Sequence, residues 1–331
     1  MKKRVLITGG AGFIGSHLAD ILNKDKKISK IVLIDNFTDG ELRNLKLVKK
    51  SKKVSIIKKD LLSIKKNEIF FKKMDCVVHL AALSDLVPSI DKPVKFIENN
   101  FNGTLKLLDA MNFNNIKKII FAASSTCYGK KNNTPTKEDE IIDLCHPYAF
   151  SKKISEDLIL HWAKLFRINF ISLRFFNVFG TRSRTNNDYG AVFGVFMKQK
   201  LMNKPYTVVG NGKQKRDFLY VSDACNAIKK SIFTSKKNLI LNVGSGKPKS
   251  ILYLTKLLKG KKIFIPKRPG EPTITHADIR KIKKELNWKP KVSFEEGVSL
   301  LLKDIDYWKN TILWDKNKIK KATKNWFKYL K

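Results

Sequence analysis

Acidic residues are scarce in this chain of 331 residues: 29 Asp and Glu stand against 67 Lys and Arg, a formal net charge of +38. Such an excess marks nucleic-acid or anionic-surface binding when the basic residues cluster. Here lysines run the length of the chain, arginine is rare beside lysine, and no nucleic-acid-binding module is recognisable. We therefore read the charge as lysine-rich solvated faces and expect no nucleic-acid partner. Cysteine is also sparse. Cys76, Cys127, Cys145 and Cys225 lack paired metal-ligand spacing, and disulfide frameworks belong to much shorter secreted chains. Free thiols and no metal site are expected. No apolar run approaches the roughly 20 residues that cross a bilayer, so no membrane partner is expected either. Met1 to Arg4 followed by Val5-Leu6-Ile7 imitates the start of a secretory signal, but the run stops at Thr8-Gly9-Gly10. That is too short for a signal core, and a cytoplasmic location is expected. Internal repeats and low-complexity linkers are missing as well.

What is present is concentrated first in Met1 to Asp35. Arg4 to Thr8 reads as a buried strand, Gly9-Gly10-Ala11-Gly12-Phe13-Ile14-Gly15 as a tight turn, Ser16 to Leu22 as a helix, and Lys30 to Ile34 as a second strand ending on Asp35. Strand, glycine turn, helix, strand and terminal acid make a dinucleotide-binding unit. Glycine lets backbone N–H groups approach a pyrophosphate, and the helix N-terminus behind the turn favours its charge. A carboxylate at the end of the second strand accepts hydrogen bonds from ribose hydroxyls and repels a 2′-phosphate, so Asp35 favours NAD over NADP.

Four more strands are expected at Val54–Ile57, Asp75–Leu80, Lys118–Ala123 and Ile168–Phe176. Asp60-Leu61 after the third lies where side chains reach an adenine, and the small pair Ala81-Ala82 after the fourth lets backbone lie against a cofactor. His79, on an apolar strand, reads as a structural histidine. Apolar residues from Phe96 to Met111 recur at helical spacing, with Asn99 and Asn100 as poor helix formers inside it. A polar role against backbone or cofactor falls to Asn99. His146 opens another helix, on which Tyr148 and Lys152 share one face. A phenol with a pKa of about 10 becomes a usable base only beside positive charge, which an ammonium supplies.

Beyond residue 176 the alternation loosens. A polar loop over 181–190, a helix over 191–202, and strands at 205–209, 214–221 and 239–243 are expected. Ser222-Asp223 is read as a helix cap, Ala277-Asp278 as a helix start, and the tail from Trp288 as helical. Arg174, Arg216 and Arg268 lie in motif-like stretches, where a planar guanidinium suits a diphosphate.

Together, Thr8 to Gly15, Ala122 to Gly129, Tyr148 with Lys152, Arg174 to Gly180, Arg216-Asp217-Phe218, Asn242 to Gly246 and Arg268 to Glu271 resemble the extended short-chain dehydrogenase/reductase family. The resemblance is to its NAD-dependent sugar-nucleotide epimerase/dehydratase branch, and it covers nearly the whole chain. It implies an α/β fold: a doubly wound parallel Rossmann sheet with a smaller mixed α/β C-terminal substrate domain. The expected division is 1–175, with part of 211–246 returning to it, and 176–331, in homodimers joined near 95–113 and 150–167. By position, the resemblance gives Gly9, Gly12, Phe13, Ile14, Gly15, Asp35, Asn36, Asp60, Leu61, Ala81 and Asn99 to the cofactor NAD. Ser124 becomes the catalytic hydroxyl, Tyr148 the base and Lys152 its partner, which also touches the nicotinamide ribose. Asn177, Arg216 and Arg268 would hold a nucleotide sugar.

The branch's 4,6-dehydratases carry an Asp-Glu pair after the catalytic hydroxyl, and its UDP-glucuronate decarboxylases keep the Glu. Here those positions are Ser125 and Thr126, which argues against both activities. The resemblance therefore implies 4-epimerisation of UDP-glucose/UDP-galactose or of the N-acetylhexosamine pair, through transient oxidation to a 4-keto sugar. The alternatives are a nucleotide-linked keto-sugar reductase or another epimerase of the family and, more remotely, a nucleic-acid-binding protein on a Rossmann scaffold. In the family's 4-epimerases a bulky residue at the position of Thr275 excludes 2-acetamido sugars. Threonine there leaves them room.

Overall fold

The structure, a computed structural model, describes residues 2–130, 133–183 and 190–330. The loop expected over 181–190 is thus described only at its ends. Its strands are β1 Lys3–Thr8, β2 Ile28–Asp35, β3 Val54–Lys58, β4 Cys76–His79, β5 Lys118–Ser124, β6 Asn169–Phe175, β7 Asn177–Phe179, β8 Tyr206–Val209, β9 Lys215–Arg216, β10 Phe218–Tyr220, β11 Leu239–Val243, β12 Lys249–Ser250 and β13 Lys262–Ile265. Its first seven helices are α1 Phe13–Asn23, α2 Leu86–Asp91, α3 Pro93–Ile97, α4 Gly103–Phe113, α5 Pro147–Phe166, α6 Val192–Leu201 and α7 Val221–Phe233.

Seven strands form one parallel sheet in the order β3-β2-β1-β4-β5-β6-β11. Crossover helices cover both faces, so successive residues of a strand enter different cores. In β1, Val5 and Ile7 join the apolar cluster under α1 and α7, whereas Leu6 joins the one under α4 and α5. In β5, Ile120 goes to the first, and Ile119 and Phe121 to the second. Two-sided burial is why these strands read as unbroken apolar runs rather than alternating ones. The sheet order reverses direction between β1 and β4, where open α/β sheets place a ligand crevice at the strands' carboxyl ends.

After β6 the chain builds small pairs: β7 with β10, β8 with β13, and β9 with β12. Phe179, Phe193, Phe218, Tyr220 and Phe294 form the aromatic centre of this part, with Phe179 stacked on Phe193 at 4.5 Å between ring centroids. The strand expected over 214–221 is two short ones, broken at Asp217. The Ser222-Asp223 cap does not form. Tyr220 is the N-cap, and the buried Asp223 carboxylate instead accepts the Lys291 and Val292 amides at 2.8 and 2.9 Å. The helix expected from Ala277-Asp278 begins at Arg280.

The helix expected through 94–113 is interrupted by a π turn over Glu98–Asn102, between α3 and α4. Of the two adjacent asparagines Asn99 and Asn100 in that turn, Asn100 makes the backbone contacts. Its amide accepts from Leu83 N and donates to Leu83 O and to Ser151 Oγ, while Asn99 is half-buried beside it.

Candidate active site

The glycine turn leaves β1 at Gly9, where φ is +69° and a Cβ would lie 2.8 Å from the Ala81 amide nitrogen. Only glycine allows both. Gly15 faces Gly9 O so closely that any side chain would collide with it. Gly12 differs: a Cβ there would meet nothing nearer than Gly9 O, at 3.3 Å. It is also the N-cap of α1 and carries no side-chain cap, so the amides of Phe13 and Ile14 face a bare backbone surface. An uncapped helix N-terminus behind an open glycine fits a pyrophosphate.

At the end of β2, Asp35 accepts the Ala11 amide on one oxygen and the Phe37 amide on the other, at 2.9 and 2.8 Å. Burial raises its pKa, and the amides oppose the shift. Asn36 donates to Asp60 Oδ2 at 2.7 Å, and Asp60 Oδ1 caps the turn that begins at Leu61. Leu61 packs on Gly103. These residues surround one end of the crevice, and Ala81 reaches it through its amide, which donates to Thr8 Oγ1. The site fits a dinucleotide.

At the other end, β5 finishes on Ser124, and α5 begins with His146 as its N-cap. His146 Nδ1 accepts the Ala149 amide at 3.1 Å, which keeps that nitrogen unprotonated. The His146 ring stacks on Tyr148 at 6.1 Å. Burial pushes the Tyr148 pKa up to about 12, and the neighbouring Ser124 hydroxyl opposes the shift. One turn on, Lys152 is buried with its ammonium 4.2 Å from the centre of the Phe121 ring. Burial lowers its pKa to about 7, opposed by the charge of Glu156. Ser124 thus stands at the carboxyl end of β5, with Tyr148 and Lys152 on the first turns of α5.

His79 is structural: its two ring nitrogens meet Thr8 Oγ1 and Thr104 Oγ1 at 2.7 and 2.9 Å. The cysteines are free, and only Cys145 is half-exposed. Among the described residues no group of three metal-ligating side chains could hold an ion, and no helix is long and apolar enough to cross a membrane.

Beside these residues lies a cavity of about 330 Å³. Ser125, Thr126, Cys145 and His146 line it near the catalytic candidates, and Asn177, Arg216, Arg268 and Thr275 line it further out. Arg216 and Arg268 share the Glu271 carboxylate, at 3.3 and 2.7 Å, so two cations sit on one anion and the trio keeps a net positive charge. Thr275 Oγ1 donates to Asn177 Oδ1 at 2.9 Å and accepts the Asp217 amide at 3.0 Å. Arg174 does not join them. It is buried, with Nε and Nη2 on the two oxygens of Glu156 at 3.2 and 2.8 Å and Nη1 on Tyr128 Oη at 2.9 Å. Its motif stretch served a structural ion pair.

Two functional neighbours escaped the sequence reading. Glu156 stands one turn beyond Lys152 on the buried face of α5, and a carboxylate at a core position of an amphipathic helix was the available signal. The other is Asp217, fully buried. Its Oδ1 accepts from Ser245 N and Oγ, both at 2.6 Å, and its Oδ2 from Gly246 N and Ala277 N at 3.0 and 2.9 Å. It ties β10 to the loops that carry Thr275.

A parallel sheet with this glycine turn, and with Ser, Tyr and Lys gathered at its carboxyl ends, defines an extended short-chain dehydrogenase/reductase. Over residues 6–301 the chain matches the family described as GDP-mannose 4,6 dehydratase, and it belongs to that family. It is similar to UDP-N-acetylglucosamine 4-epimerase from Methanobrevibacter ruminantium M1, solved with UDP-N-acetylmuramic acid, at 35% identity and a TM-score of 0.85, covering 92% of this chain and 100% of that one. UDP-glucuronic acid 4-epimerase from Bacillus cereus, solved with UDP-glucuronic acid and NAD, is 31% identical with a TM-score of 0.85, over 92% and 99% of the two chains. A UDP-N-acetyl-alpha-D-glucosaminuronate decarboxylase of Bacillus cytotoxicus is 32% identical over 90% of this chain and 96% of its own.

Proposed function

We propose that this protein interconverts the C4 epimers of a UDP-sugar, with NAD kept through each cycle. The observation that carries the reading is the Ser124–Tyr148–Lys152 arrangement beside a cavity whose adjoining wall offers Ser125 and Thr126 in place of carboxylates. Similarity to enzymes named as UDP-sugar 4-epimerases supports it. Decarboxylase relatives supply the second reading. Neither Ser125 nor Thr126 ionises near neutral pH, which leaves that reading without its acid.

The amides of Phe13 and Ile14 and the Asp35 carboxylate hold the pyrophosphate and adenosine ribose. Asn36, Asp60, Leu61, Ala81 and Asn99 line the remainder of that groove. NAD, when bound, supplies a reversible hydride acceptor whose positive ring favours a neighbouring phenolate. Arg216 and Arg268 hold the sugar's diphosphate, and Asn177 and Thr275 border the hexose. Ser124 orients the sugar's 4-hydroxyl, and Tyr148 takes its proton as C4 is oxidised. Lys152 keeps the phenolate favourable. After the 4-keto sugar turns over in the cavity, Tyr148 returns the proton to the reduced carbon's oxygen. Residues 1–175 with part of 211–246 form the dinucleotide domain, and the rest forms the sugar domain. The working enzyme is a cytoplasmic homodimer joined through α4 and α5.

Purified protein incubated with UDP-glucose, UDP-N-acetylglucosamine or UDP-glucuronic acid, without added cofactor, tests the reading. The C4 epimer of at least one is expected. Net consumption of added NADH with a keto sugar, or release of CO₂, would replace it with a reductase or a decarboxylase.

A further inference from the structure

We propose that Trp326 is a positioning residue for the substrate, holding the Arg268 loop against the cavity from a segment that the family match, ending at residue 301, does not reach. The inference rests on the reading of Arg268 as a ligand of the sugar's diphosphate. Asp315 caps a helix over Lys316–Ala322 by accepting the Lys318 amide at 2.8 Å, and a second short helix follows over Lys324–Tyr329. Ile319, Thr323 and Trp326 recur at helical spacing and are all buried. Ile319 joins the apolar cluster that includes Val5 and Ile7. Trp326 belongs to neither apolar cluster, although it is only 2% exposed. The substrate site buries it instead, and its side chain lines the cavity.

Its indole Nε1 donates to Pro269 O at 2.7 Å. The ring centre lies 6.0 Å from the Arg268 guanidinium, the outer limit of a cation–π contact, and 6.0 Å from the centre of the His146 ring. Neighbouring residues fix the segment on both sides. Asn325 Nδ2 donates to Asp91 Oδ1, at the end of α2, at 2.8 Å. Leu330 lies so near Gly270 that a Cβ there would touch it at 3.5 Å. The Arg268 loop is therefore held from outside, through the one backbone hydrogen-bonding group that Pro269 has. A ligand arm ordered in advance binds without the cost of ordering it. On its other side the indole reaches His146, which caps α5 and stacks on Tyr148. In a nucleotide sugar the hexose joins the diphosphate to C4. Trp326 thus stands along the stretch of wall between the diphosphate end and the reacting end, where the hexose lies.

The test compares W326L, which removes the ring and its N–H, with W326F, which keeps a ring and loses the hydrogen bond to Pro269. In W326L, KM for the UDP-sugar and the calorimetric Kd of UDP are expected to rise about tenfold, with kcat per folded enzyme within about threefold. Bound NAD should stay at the wild-type stoichiometry. W326F should raise KM and Kd by about threefold, the loss of one hydrogen bond, and carries the test alone if W326L does not fold. A purely structural role would lower the urea midpoint while KM and Kd of the folded fraction stay at wild type, and that result overturns the inference. Fluorescence gives a reading independent of turnover. The chain has five tryptophans, and saturating UDP should change the emission of wild type more than that of W326F. An equal change also overturns the inference. Wild-type protein that neither binds UDP nor turns over any UDP-sugar would overturn the proposed function and this inference together, whereas variants that match a UDP-binding wild type overturn the inference alone.

Discussion

Replacing Asp217 by Asn tests how the sugar-facing loops are held. The carboxylate accepts four hydrogen bonds, two on each oxygen, in a place with no solvent access. An asparagine keeps one carbonyl oxygen. With its NH₂ toward Ser245, whose hydroxyl can turn to accept, the asparagine leaves the Ser245 amide without an acceptor; turned the other way, it orphans the Gly246 and Ala277 amides together. A buried donor left without an acceptor costs about 1–3 kcal/mol, so D217N should lose about that much even in its better orientation. That is a large share of the roughly 5–15 kcal/mol that holds a folded domain together.

The loss should also have an address. Ser245 and Gly246 follow β11, and Ala277 lies two residues beyond Thr275, whose hydroxyl bridges the Asp217 amide and Asn177. Loosening these loops should raise KM for the nucleotide sugar by about tenfold or more while bound NAD stays near wild-type stoichiometry, since β1, α1 and β2 are untouched. Urea unfolding measures the first effect, initial-rate kinetics the second, and absorbance of the released cofactor the third. A D217N protein within about 1 kcal/mol of wild type, with unchanged KM, would refute the reasoning.

Three further outcomes are expected. E156Q strips the partner from the buried Arg174 guanidinium and removes the one charge that props up the Lys152 pKa; a stability loss of about 3–5 kcal/mol in urea is expected, together with an acid limb displaced upward in the kcat–pH profile. T275Y places a large ring in the 330 Å³ cavity and breaks the contact with Asn177, so turnover of an N-acetylated UDP-hexose should fall at least about tenfold relative to the plain hexose in paired assays. Acidification should unfold the protein in a defined window: burial holds His17, His79 and His146 down at about 4, 3 and 4, so the unfolded chain binds more protons below pH 6.5; stability falls as pH drops from 6.5 toward 4, by about 1.4 kcal/mol per unit for each histidine, and an H79Q variant should show a shallower slope in urea melts.

The sheet and the dinucleotide end were legible because the physics there is local in sequence. Two-sided burial writes apolar runs, and a backbone that must approach a pyrophosphate writes glycines at fixed spacing. Tyr148 and Lys152 were legible for a similar reason, since a shared helix face is a four-residue rule. The misreadings came where one residue serves distant chain. Asp223 looks like a cap beside Ser222, yet its carboxylate is spent on amides near residue 291. Arg174 looks like a diphosphate ligand until Glu156 is found opposite it across the contact of α5 with β6. Asn99 and Asn100 are interchangeable by composition, and only the π turn decides which of them faces Leu83 and Ser151. Thr126 carries the same point into the chemistry. In sequence it registers as the lack of a carboxylate. In the fold its hydroxyl lies 2.9 Å from that of Ser124 at the edge of the cavity, a contact that no residue has alone.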